Sequence, residues 1–118
     1  MTQPNPDPHW SVQFPQLCDI DPRLDILRYE RIYAKDGHPL LAFYRHLERA
    51  LGRPLDLHRP GVAERSFDER WLLAVFDAAS NADLAGYQFL LRSRMQAGDA
   101  ARLHFALTQV QIWLEARL

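Results

Sequence analysis

The sequence predicts an all-α protein, a compact bundle of about five helices preceded by a proline-rich N-terminal arm, and three observations carry that expectation. All eight prolines lie before residue 61. Proline removes a helix donor and clashes inside a helix, so the first half must be punctuated while the second is free to run as long helices. Apolar residues recur at three- and four-residue steps in three separate stretches, which is the spacing of one helix face. Helix-start and helix-stop residues bracket those stretches.

Taken in order, residues 1–18 read as an extended arm. Pro4, Pro6 and Pro8 alternate with polar residues there, a pattern that fits neither a helix nor a central strand. Residues 19–118 read as a single helical domain. Its first helix starts at Asp21, an N-cap, with Pro22 at the first helical position, and runs to about Ala34 before Lys35-Asp-Gly37. The period is untidy: Ile26, Tyr29 and Tyr33 fall on one side, Leu24 and Leu27 elsewhere.

The second helix opens at Pro39. Leu40, Phe43, Tyr44, Leu47 and Leu51 share a face, Arg45, Glu48 and Arg49 take the other, and Gly52 stands where a C-cap glycine belongs. The longest internal loop follows, from Arg53 to Arg65, with Pro54 and the Pro60-Gly61 turn signal. Ser66-Phe-Asp-Glu69 is a capping box, in which serine and glutamate satisfy each other's exposed backbone donors. The helix it opens carries Phe67, Trp71, Ala74, Val75 and Ala78 on one side, with Leu72, Phe76 and Ala79 beside them. That arc is too wide for one neighbour. After a polar break at Ser80-Asn81, Leu84, Tyr87, Leu91 and Met95 define a fourth helix ended by Gly98. Asp99 then caps a last helix whose stripe is Leu103, Leu107, Val110, Leu114 and Leu118.

Composition narrows the function classes. A chain of 118 residues fits one domain and buries roughly two-thirds of its unfolded surface, enough for a core without staples. The formal charge of −1 is balanced between the halves, which gives no electrostatic ground for nucleic acid or an anionic membrane as partner. All but one of the 14 basic residues are arginine, Lys35 being the exception; a GC-rich genome produces that skew without any function behind it. The lone cysteine, Cys18, cannot form an internal disulfide. The opening MTQPNPDPHW lacks a signal peptide's basic and apolar regions, and no apolar run approaches the roughly 18 residues that span a bilayer. A cytoplasmic protein is the expectation.

No catalytic pattern emerges. Of the histidines His9, His38, His46, His58 and His104, none forms an HExxH or a paired Glu-x-x-His motif. Asp36, His38 and His46 are the nearest approach to a ligand cluster, but positions 38 and 46 differ by about 80° on an ideal helix. His38 reads better as a cap or turn residue. The serines lack an elbow context, and the five glycines are isolated, so no loop cradles phosphate. Asp68 and Glu69 are adjacent acids, but both occupy a first turn, where acids meet the helix dipole favourably. No metal, no cofactor and no enzymatic activity are expected.

Two surfaces and one cluster remain. Trp10, Phe14 and Leu17 in the arm are too apolar to leave in water. They either fold back on the bundle, the preferred reading, or enter a partner's groove. Phe105 and Ile112 lie about 180° from the main stripe of the last helix, with Ala101 and Ala116 flanking them. A helix apolar on both sides is usually central in its fold, so Phe105 is expected in the core. Ile112 is open between core and interface. Arg92, Arg94 and Arg102 form a small basic cluster near Gly98. The function expected is a small noncatalytic interaction module (an adaptor, regulator or inhibitor) that binds another protein or itself through helical faces and its arm. The alternatives are a ligand- or metal-binding helical protein centred on Asp36, His38 and His46, or a subunit without an active site in an enzyme complex.

Overall fold

The computed structural model describes residues 20–118, so Trp10, Phe14, Leu17 and the arm that carries them lie outside the described residues. Five α-helices and no strand make up the rest: α1 Pro22–Tyr33, α2 Pro39–Leu51, α3 Phe67–Ser80, α4 Leu84–Arg92 and α5 Ala97–Glu115. None is long and apolar enough to cross a membrane.

Local chemistry sets most of the boundaries. Asp21 caps α1, its carboxylate accepting from Arg23 N at 2.9 Å. His38 caps α2 through Nδ1, which accepts from Leu40 N at 3.1 Å. Gly52 ends α2 at φ 76°, a left-handed conformation that costs glycine little. Both halves of the Ser66–Glu69 capping box are made. Asp83 caps α4 by accepting from Gly86 N at 3.0 Å, and a Cβ at Gly86 would press on the Asp83 carboxylate and make that side chain shift.

The last two helices depart from expectation at their junction. α4 stops at Arg92, and Met95 is buried in the link rather than on the helix. Gly98 lies inside the first turn of α5 and ends nothing. Asp99 is likewise not the cap: Gln96 is, without a side-chain bond, while Asp99 pairs with Arg102 at 2.8 Å. Glycine's helix penalty of about 1 kcal/mol is small enough for packing to override. Leu118 falls beyond the end of α5 and is exposed.

α2 and α5 make the most extensive contact, and α3 pairs with α4. α1 lies against α2 and α3. Leu40, Phe43, Tyr44 and Leu47 from α2 meet Leu103, Leu107 and Val110 of α5 in one core cluster that also takes Leu72, Val75 and Phe76 of α3. Buried polar tips are satisfied: Tyr44 donates to Leu27 O at 2.8 Å and Trp71 Nε1 to Leu90 O at 3.0 Å. α1 buries Leu24, Leu27 and Arg28, leaving Tyr29 and Tyr33 outside. The untidy period is explained by that arginine, which occupies a core position an apolar count overlooks.

Arg28 and Glu69 are both fully buried and joined through two bonds, Nε to Oε2 at 2.7 Å and Nη2 to Oε1 at 3.0 Å. Arg28 also donates to Val62 O at 2.6 Å and Glu64 O at 2.9 Å. Glu69 accepts in addition from the backbone of Ser66 and His58, each at 2.9 Å. Asp68 accepts from Arg53 at 2.8 and 2.9 Å and from Asp56 N at 2.8 Å. The two acids at the start of α3 therefore hold the 15-residue connection between α2 and α3 against the bundle. Helix-dipole complementarity alone accounts for neither.

Candidate functional site

Although only four residues join α4 to α5, the two helices touch little. α4 leans on α3 instead, so an open groove remains on its other side. Its larger hollow, about 670 Å³, is walled by Leu84, Phe89 and Leu91 of α4 and by Ala97, Ala100 and Ala101 of α5. Small residues on α5 make the space; large ones on α4 make it apolar. A second hollow of about 300 Å³ adjoins it, sharing Leu84, Tyr87 and His104 and adding Ala78, Ala79 and Ala82 from the end of α3.

Two polar features interrupt these walls. The Tyr87 hydroxyl lies 2.7 Å from His104 Nδ1. Burial pushes the phenol up to about 12, so the hydroxyl keeps its proton, and its pairing with His104 can run in either direction according to the imidazole tautomer. Among the described residues, Arg92, exposed on α4, is the one permanently charged side chain lining the larger hollow. Apolar walls with a few placed polar groups are the usual make-up of a binding surface.

Of the residues singled out from sequence, the structure brings few together. Phe105 is 71% exposed and Ile112 64% exposed, which corrects the core expectation for Phe105. Neither residue lines either hollow. Ala101 lines the groove, and positions 105 and 112 recur on nearly the same side of α5. The arginine cluster dissolves. Arg94 turns away from Arg92, stacks over Phe67 at 5.0 Å and Trp71 at 5.1 Å, and stands 2.9 Å from Asp68 Oδ1, off the hydrogen-bonding line. Arg102 is held by Asp99. Only Arg92 of the three lines the groove.

The Asp36, His38 and His46 region is engaged structurally at its centre. His38 spends Nδ1 on the helix cap, packs edge-on against Trp113 at 4.5 Å and places Nε2 3.6 Å from Glu30. No group of three or more potential ligands is placed to hold a metal among the described residues.

Sequence reasoning missed Leu84 and Phe89, exposed at 66% and 72%, and the Tyr87–His104 pair. One signal was available: α4 reads LAGYQFLLR, apolar around most of a nine-residue helix. A helix in a small bundle cannot bury its whole circumference. The pair carried no such mark, since its two members are 17 residues apart.

Comparison with protein families, curated proteins and solved structures finds no match to this chain. The functional reading therefore rests on the groove itself.

Proposed function

We propose that this protein is a noncatalytic interaction module whose α4–α5 face receives an amphipathic helical segment of a protein partner. One observation carries the reading: the larger hollow is walled by the exposed Leu84 and Phe89 of α4, with Tyr87 and Leu91 beside them and Ala97, Ala100 and Ala101 of α5 opposite. Isolated exposed apolar residues need no explanation, but a contiguous apolar patch marks a contact surface. The groove also has the elements of helix-in-groove recognition, an apolar trough with charge at its edge. Arg92 at that edge suits an acidic flank on the incoming helix, and His104, which lines both hollows, offers a polar group for a hydrogen bond.

The test is capture of partner protein from the native host with wild-type, Ala101→Arg and Phe89→Ser baits, followed by calorimetric titration of each recovered protein against all three. Ala101 and Phe89 are both exposed, so the variants should fold normally. A protein that binds the wild type and loses at least tenfold affinity for both variants is the expected result. Equal affinity for all three overturns the reading.

A further inference from the structure

The groove has a candidate occupant within the same chain. The path of the first described residues starts beside it. Asp21 caps α1, and Arg23 reaches from α1 to Asp77 near the end of α3 at 2.7 Å. The next residues along α3, Ala78 and Ala79, line the smaller hollow with Ala82. The first described residues therefore lie on the side of the bundle where α3 ends, near the smaller hollow, which shares Leu84, Tyr87 and His104 with the larger one.

Reach and chemistry both match. Leu17, Phe14 and Trp10 stand three, six and ten residues before Ile20. At no more than about 3.3–3.6 Å per residue they reach at most about 10, 20 and 35 Å from it. α4 is only nine residues long, or about 14 Å at 1.5 Å per residue. Leu17 can enter the smaller hollow while Phe14 and Trp10 enter the larger. Pro15 excludes a regular helix through these anchors, and an extended segment leaves backbone N–H and C=O groups free to pair with His104 at the groove. Residues 1–19 contain Asp7 and Asp19 and no lysine or arginine, complementary to Arg92 on the groove. We infer that residues 10–17 occupy the α4–α5 groove of their own chain, and that a partner gains the groove by displacing them. The inference rests on the groove being the binding surface proposed above.

The experiment uses the full chain with Cys18→Ser and a nitroxide on Gln13→Cys, the only cysteine then present. Amide signals of Phe89, Arg92 and Ala101 should lose most of their intensity, and Trp10→Ser with Phe14→Ser should restore it. The same double substitution should raise the fluorescence of the apolar dye ANS several-fold, and Ala101→Arg should remove that rise. Broadening centred on the exposed Tyr29 and Tyr33 of α1, or broadening unchanged by the double substitution, overturns the inference. Groove-dependent partner capture without groove broadening also overturns it, while leaving the proposed function standing. Groove broadening without any groove-dependent capture supports the arm's placement and removes the proposed function.

Discussion

Two ends of the molecule invert the usual rule of composition. Around α1, the start of α3 and their connecting loop, charges are inside: Arg28, Asp68 and Glu69 are each at most 1% exposed. Around α4 and the outer face of α5, apolar groups are outside. The polar end is closed because nearly every donor there has an acceptor. The apolar end is open because α4 spends its packing on α3. Buried charge is tolerated only when paired and hydrogen-bonded, so such a network serves one arrangement and has little freedom to rearrange for a ligand. Exposed apolar surface has no such commitment. On the function proposed above, the first region is architecture and the second is the contact surface, although α1 and the start of α3 also leave Tyr29, Ile32, Tyr33 and Phe67 exposed.

The sharpest way to break that contrast is to remove Arg28. Arg28→Ala leaves Glu69 as an uncompensated buried charge and should cost about 3–5 kcal/mol, measured by denaturant unfolding. A loss below about 1 kcal/mol would show that the polar end is not a fixed clamp. Leu107→Ala, in the buried stripe of α5, should cost about 2–5 kcal/mol. It serves as the apolar reference for the polar deletion.

Acid should act on the polar end alone. Arg53's hydrogen bonds, with help from Asp56 N–H, hold Asp68 at about 2 against its burial. Burial would push Glu69 up, but the Arg28 guanidinium and the Ser66 and His58 amides hold it below its usual value. Both folded-state values are depressed. Their contribution is therefore fully present above the unfolded values near 4 and is lost as pH falls through the folded ones. For Asp68 this amounts to about 2 kcal/mol between pH 4 and 2. Unfolding midpoints across that range, compared with those of Asp68→Asn, check it: the variant should lose the share of the slope due to Asp68 and keep that due to Glu69.

A smaller effect is expected at Ser66. Its hydroxyl accepts from Glu69 N at 3.1 Å and donates to Asp56 O, so it caps α3 and ties the loop at once. Ser66→Ala should cost about 1–2 kcal/mol with partner binding intact. Smallest of all are Phe105→Ala and Ile112→Gln, which should change stability by no more than about 0.5 kcal/mol, as ordinary surface substitutions do. If Phe105→Ala instead cost as much as Leu107→Ala, the outer face of α5 would be covered in the monomer and the comparison would collapse.

What the sequence determined by itself is local. The caps at Asp21 and Ser66, the stop at Gly52, and the faces carried by Leu40–Leu47 and Leu103–Leu114 are all legible, because each depends on groups within a few residues. The α4–α5 junction was misplaced for the same reason in reverse: Gly98 and Asp99 carry the local marks of a helix stop and a cap, and the packing of α5 overrides both. Whether Phe105 lies in the core or in water could not be read from its periodicity, since both faces of α5 repeat apolar residues. That was decided by which face α2 covers, burying Leu103, Leu107 and Val110 and leaving Phe105 out. Arg28 and Glu69 lie 41 residues apart, and Tyr87 and His104 come from different helices. Such pairings arise only when the helices are assembled, because side-chain hydrogen bonds and burial depend on distance in space, and sequence spacing fixes that distance only within a single helix.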